Sequence, residues 1–288
     1  MYISNLLCKC MVVDFDELNR LAFQEGDLPS LVELADHYYK AGDYKKAFQC
    51  AYRASLRLYP NAERKLGFFY EKGIGTEIDY AKAFNCYSLA YQHHDNSAAY
   101  NLALLYVEGK GVEKDYDKAF KFAKEAADNQ DIGAVKLLSK MYFKGIGCEA
   151  NDRTGYVYLK RALEMGDTSV CYNLGLNKYQ GRGTNKDDRE AMQYMLLGAE
   201  QNDNNCIYTI GKMHSVGEGV AKDLNKASYW FKRGSQNNDP RCMYNLALFY
   251  ESGIYFQKDE ATASFWLKKA ADMGFEKAIE HLKNRVSA

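Results

Sequence analysis

Few side chains in this sequence stand at spacings that chemistry would need. Cys8-x-Cys10 offers two soft ligands, but no second pair follows nearby to complete a tetrahedral zinc site. His93-His94-Asp95 puts two imidazoles beside a carboxylate. A metal would need more ligands converging on one point, and a helix C-terminus that favours cations explains the run. No serine sits in a nucleophile elbow, and neither an H-E-x-x-H helix nor a phosphate loop occurs. The expectation is a chain with no catalytic residue, no metal and no cofactor, so its function must lie in surfaces.

The elements that would position such surfaces are legible in a repeat. Glycine pairs return every 36 residues: Gly73/Gly75, Gly109/Gly111, Gly145/Gly147, Gly181/Gly183 and Gly217/Gly219. A sixth copy has Gly253 with Tyr255 at the second position. These pairs follow helical patterns rather than strands, so they are not nucleotide loops. A fixed period of this length marks a solenoid whose units bury their apolar faces against neighbours.

Other columns keep the same register. Leu66, Leu102, Leu138, Leu174, Ile210 and Leu246 are each followed by a small residue, from Gly67 to Ala247. Four beyond come Tyr70, Tyr106 and Tyr142, then Lys178, His214 and Tyr250. After the glycines stand Asp79, Asp115, Asn151, Asp187, Asp223 and Asp259. A small residue follows each by four, Gly155 in the third copy and alanine elsewhere, and a bulky one three later, ending in Trp230 and Trp266. Spacings of three and four share a helix face. Glycine ends the first helix because it accepts positive φ, and Asp or Asn caps the second. One repeat is helix A, a glycine loop, then helix B.

A unit such as Tyr100-Asn101-Leu102-Ala103-Leu104-Leu105-Tyr106, with Gly109-Lys110-Gly111-Val112-Glu113-Lys114-Asp115 and Lys118-Ala119, resembles the Sel1-like repeat, a relative of the tetratricopeptide repeat. The resemblance implies an all-α fold, a right-handed α-α superhelix. Departures are Gly155 in the helix B alanine column, Lys178 and His214 in the tyrosine column, and Tyr255 for glycine.

The expected organisation is an arm and capping helix over 1–29 and a shortened, tetratricopeptide-like repeat over 30–60. Six repeats then fill 61–274, and a C-terminal capping helix covers 275–288. Residues 1–13 read as a strand-like or frayed arm, and Asp14 to Gln24 as a helix ended by Gly26. The third repeat is the most divergent, with a weakened helix B start around Gly155.

Lys+Arg and Asp+Glu both number 38. That balance lacks the basic excess of a nucleic-acid module. No apolar run approaches the length of a bilayer span, and the start lacks a basic n-region and a small-residue cleavage site. A cytoplasmic, monomeric protein is expected. Cys171, Cys206 and Cys242 open successive A helices. The secreted, cysteine-rich members of the resembled family pair such a cysteine with one in helix B. Those partners are missing here, so free thiols in a reducing compartment fit.

In tetratricopeptide-like superhelices the A helices line the concave groove. By that resemblance two columns face a partner. One is Arg64, Tyr100, Lys136, Tyr172, Tyr208 and Tyr244; the other includes Lys65, Asn101, Asn173 and Asn245. Tyrosine gives contact area with few rotors, and asparagine both donates to and accepts from a peptide backbone. The same residues also belong to the family pattern and serve repeat-to-repeat packing equally well. Arg64, Lys65 and Lys136 hint at acidic character in a ligand, though a charged surface explains them too. The function implied is a non-enzymatic scaffold or adaptor holding a partner protein or peptide. Immunity proteins that neutralise a toxic effector are an alternative within the resembled family. Cysteine-rich relatives linked with β-lactam binding or hydrolysis are a third reading, weakened by the missing helix B cysteines.

Overall fold

The computed structural model describes residues 15–253 and 256–287. The arm over 1–13, Cys8-x-Cys10 and Tyr255 lie outside the described residues. Two units divide the chain, Met1–Ala150 and Asn151–Ala288. Among the described residues every regular element is a helix.

In the first unit, α1 (Phe15–Arg20) runs into a wider π turn, Leu21–Glu25, that ends at Gly26 with φ 71°. Leu18 and Ala22 bury against the first hairpin, α2 (Leu28–Lys40) and α3 (Tyr44–Ser55). Two further hairpins follow, α4 (Pro60–Lys72) with α5 (Tyr80–Gln92), and α6 (Ala98–Glu108) with α7 (Tyr116–Asp128). The unit closes on α8 (Ile132–Lys144). The second unit opens on α9 (Asp152–Glu164). It continues with the hairpins α10 (Cys171–Gln180) and α11 (Asp188–Glu200), α12 (Asn204–Val216) and α13 (Leu224–Gln236), and α14 (Pro240–Ser252) and α15 (Glu260–Asp272). It ends on α16 (Glu276–Ser287). Within each unit a helix packs on its hairpin partner and on the next A helix, so the core is a row of inter-helix clusters. Gly155 does not weaken the start of α9: Asn151 caps it through the Thr154 N–H at 2.9 Å, and Gly155 is buried.

The glycine loop is built from backbone. Gly109 caps α6 in the left-handed region at φ 69°, and the next amide, Lys110 N–H, donates back to Leu105 O at 3.2 Å. The αL residue costs glycine nothing and frees that amide to close the helix end. The far end is closed by Asp115 N–H donating to Tyr106 O at 3.1 Å. The same bond joins Asp79 to Tyr70, Asp187 to Lys178, Asp223 to His214 and Asp259 to Tyr250. Because the acceptor is a carbonyl, Lys178 and His214 serve as well as tyrosine. Gly111 has a second task. A Cβ there would stand 2.0 Å from the Tyr80 carbonyl oxygen of the preceding B helix. Gly75, Gly147 and Gly183 repeat this approach at 2.1, 2.0 and 2.1 Å.

The turn from helix B to the next A helix has its own register. Leu58, His94, Gln130, Gly166, Asn202, Asn238 and Gly274 all have positive φ, between 56° and 93°. The residue after each His94-type position sends its amide back into the B helix, as Asp131 N–H does to Ala126 O at 3.0 Å. The Asp131 carboxylate then accepts from Ala134 N–H at 2.7 Å, and Asp203 and Asp239 cap their helices alike.

Small residues are matched to large ones across the hairpin. Gly67 faces the Tyr87 ring, Gly211 the Phe231 ring and Gly175 the Met195 side chain, each too close for a Cβ. Cysteine plays the same part between repeats. Cys206 Sγ fills the notch at Gly198 and Cys242 Sγ the notch at Gly234. Cys171, Cys206 and Cys242 are free and wholly buried. Burial pushes the Cys206 thiol up to about 12, and Cys242 higher still, so both stay protonated.

Three outcomes are expected. Gly109→Ala, which must only hold positive φ, should lose about 1 kcal/mol, whereas Gly111→Ala should lose about 3 kcal/mol through the added carbonyl clash, as read by denaturant unfolding. The Lys82 amide and then its ammonium hold the Asp79 carboxyl below the usual range, and Lys118 does the same for Asp115. Their folded-state pKa is depressed, so their contribution is present above roughly pH 4 and is lost as pH falls through the folded value; melting temperature should drop on acidification in that window, less so in Asp79→Asn/Asp115→Asn. Labelling with a thiol reagent at pH 8 should leave Cys171, Cys206 and Cys242 unmodified until the protein unfolds, as mapped by mass spectrometry; fast native labelling would contradict their packing role.

Candidate functional site

In the first unit the A-helix face begins with two cations that are already satisfied. The Arg64 Nε donates to Asp95 Oδ2 at 2.6 Å and its Nη2 to Asn61 Oδ1 at 3.1 Å. Lys65 pairs with Asp36 of the preceding A helix. Neither is an uncommitted charge waiting for an acidic ligand, a point the sequence reading could not settle. Tyr100 is half-buried, and its ring lies over Gly133, where a Cβ would come 2.7 Å from Cζ. Burial raises its hydroxyl pKa. Asn101 beside it is half-exposed, and its amide meets no partner among the described residues. Lys136 sits half-buried on α8.

In the second unit Tyr172, Tyr208 and Tyr244 are also half-buried, packed on the neighbouring cores. The Arg241 guanidinium stands 4.7 Å from the Tyr208 ring centre, held there by Asp239 at 2.6 Å and Asn205 at 3.1 Å. Asn245 spends its amide on Arg241 O at 2.7 Å. Tyr244 packs its ring 5.6 Å from Phe275 and 6.0 Å from His281. Asn173 is exposed, and its side chain has no partner among the described residues.

The tyrosine column therefore does two things at once. One edge of each ring seals the seam to the next repeat, and the other edge stays open. Tyr100 and Tyr172 keep hydroxyls without a hydrogen bond among the described residues, while the Tyr208 ring is covered by the Arg241 guanidinium. The structure thus sets Asn101 and Asn173, with their neighbouring tyrosines, apart from Arg64 and Lys65, which pair with other repeats, and from Asn245, whose amide is bound to its own helix.

The polar joints themselves escaped the sequence reading. His93 Nδ1 lies 2.8 Å from the buried Glu63 carboxylate, and Asp95 takes Arg64, so His93-His94-Asp95 is a joint between repeats. His281 and Arg285 meet Glu251 in the same way at the last repeat, at 3.1 and 2.5 Å. The spacing of about 30 residues between partners is the available signal: each pair joins one A helix to the next turn or helix. Lys178 replaces an aromatic and reaches Glu190 at 2.7 Å, which also accepts from the Tyr194 hydroxyl at 3.0 Å. Among the described residues no group of His, Cys, Asp and Glu could hold a metal ion, and no helix is long and apolar enough to cross a membrane.

Comparison with known proteins now bears on the arrangement. The c5321 protein of uropathogenic Escherichia coli, a protective antigen displaying an SLR fold, is similar at a TM-score of 0.82 and 25% identity over 92% of this chain; this chain spans 58% of that one. A Sel1 repeat protein from Oxalobacter formigenes is similar at 0.74 and 29% identity, over 84% of this chain and 99% of that one. The immunity protein Pa5087 of Pseudomonas aeruginosa matches over 73% of this chain and 82% of that one, at 20% identity and a TM-score of 0.44, which transfers no function. No curated protein gave a significant match. The model described as Sel1 repeat matches residues 30–57, 60–95, 96–131, 134–167, 168–203, 206–239 and 240–275. Its first copy takes in the stretch read above as a shortened tetratricopeptide-like repeat. With seven copies over most of its length, the chain belongs to the Sel1 repeat family.

Proposed function

We propose that this protein is a non-enzymatic scaffold that holds extended protein segments on the A-helix faces of its units, each unit offering its own contacts. Sel1 repeat proteins generally act through protein–protein interaction, which supports the class. The observation that carries the finer reading is an amide unpartnered among the described residues beside a half-buried tyrosine in each unit, Asn101 with Tyr100 in the first and Asn173 with Tyr172 in the second. An amide that can donate and accept suits a peptide backbone, and an adjacent aromatic ring gives apolar area at little entropic cost. Arg64 and Lys65 hold repeats together beside these contacts, and Tyr208 and Tyr244 contribute through their ring edges. On this reading the protein acts as one chain, in the cytoplasm, with neither cofactor nor bond chemistry.

The test is affinity capture from source-cell lysate with the wild type and with Asn101→Arg/Asn173→Arg, compared by mass spectrometry. Both sites are on the surface, so the variant should keep its helical signal and melting temperature. A protein captured by the wild type and at least tenfold depleted with the variant is the expected result. Equal capture by both folded proteins would remove the A-helix face from the binding account.

A further inference from the structure

The outer face of the last two B helices carries a second feature that the A-helix reading does not use. Tyr229 on α13 is 60% exposed and Phe265 on α15 is 57% exposed. They stand 36 residues apart, at the same register of consecutive repeats. Each is followed by a tryptophan, Trp230 or Trp266, and these are the two tryptophans of the chain. Each exposed ring meets its tryptophan edge-on, with centroids 5.2 and 5.1 Å apart. Each tryptophan lies under a cation, Arg233 at 5.4 Å and Lys269 at 5.4 Å. At the same register the other B helices carry Gln49, Asn85, Lys121, Val157 and Gln193.

One exposed ring calls for no explanation, but a repeated pair backed by tryptophan does. Three residues after each ring is an exposed lysine, Lys232 or Lys268, and neither meets a carboxylate among the described residues. Arg233 is occupied by Ala199 O at 2.5 Å and Asn202 Oδ1 at 3.2 Å, whereas Lys269, over its tryptophan, meets no carboxylate among the described residues either, so the charge left unpaired is that of three lysines, Lys232, Lys268 and Lys269. The same aromatic–lysine pattern is thus repeated on α13 and α15 at one register of consecutive repeats, and these two copies form the strip.

We infer that this strip docks a linear protein segment that carries acidic residues interleaved with apolar ones. The rings supply desolvated contact area, and the unpaired ammonium groups supply charge complementarity that neighbouring carboxylates do not satisfy. A nucleic acid would call for a broader basic field than a few lysines in a chain of 38 cations and 38 anions. The strip is separate from the A-helix face and does not depend on it.

The experiment selects a displayed random dodecapeptide library on the full chain, with counter-selection on Tyr229→Ser/Phe265→Ser. All substitutions are on exposed positions, and circular dichroism should confirm an unchanged fold. The expected enrichment is of peptides combining Asp or Glu with Leu, Phe or Trp. Their affinity should fall at least tenfold in Tyr229→Ser/Phe265→Ser and in Lys232→Glu/Lys268→Glu, and decline with salt, while Asn101→Arg/Asn173→Arg leaves it unchanged. No enrichment over the counter-selected variant, enriched peptides without acidic residues, or loss only with the Asn101→Arg/Asn173→Arg variant would overturn the proposal. So would wild-type-specific binding to phosphatidylserine vesicles or self-association abolished by the same ring substitutions, since either names a different occupant.

Discussion

The constraint on which the first repeats depend is a backbone-to-backbone approach at the second glycine of the loop. Where Gly111 crosses the start of α5, no room remains for a single carbon between it and the Tyr80 carbonyl. That contact fixes where one loop lies on the preceding B helix, and hence how consecutive repeats register. The requirement relaxes at Gly219, whose nearest neighbours for a Cβ are the Met213 and Tyr179 side chains at 3.1 and 3.3 Å. The first glycine of the pair has a lesser task at Gly109, set chiefly by φ, since a Cβ there would meet nothing nearer than the Lys114 Cβ at 3.3 Å. Two residues that look alike in the sequence thus carry unequal loads.

Around that contact the repeat tolerates change wherever backbone does the bonding. The bond from the helix B cap to the carbonyl nine residues earlier forms from Tyr106, Lys178 or His214 alike. Volume is conserved across pairs rather than at positions, as Gly67 with Tyr87 and Gly211 with Phe231 show. The buried cysteines belong to the same economy of space, since each fills a notch that a glycine leaves in the preceding helix. Their high thiol pKa follows from that burial and marks them as packing residues.

The helices and glycine loops were readable because they rest on periodic constraints of shape: small beside large, glycine at positive φ, aspartate at a cap. The second turn was harder to read, since its left-handed position accepts His94, Gln130 and Leu58 as well as Gly166. A column of mixed types has no compositional signal until the 36-residue register is laid over it. The Asp131, Asp203 and Asp239 caps were legible by the same register and were missed because only the helix B caps were aligned. At the candidate surface, residue type placed Arg64, Tyr100 and Asn101 on one kind of face. It could not tell that Asp95 and Asp36 neutralise Arg64 and Lys65 while Asn101 stays unbonded, because those partners lie about 30 residues away in the chain.

A small set of buried or half-buried polar groups joins the repeats, at Glu63 with His93, Arg64 with Asp95, and Glu251 with His281 and Arg285. Asn101 and Asn173, which lie outside those joints, carry the account of partner binding. Its most direct test is hydrogen–deuterium exchange of the full chain, alone and with the protein that co-purifies with it. The account predicts slowed exchange within α6 and α10, residues 98–108 and 171–180, on complex formation. Unchanged exchange in both helices, with protection elsewhere on the chain, would contradict it.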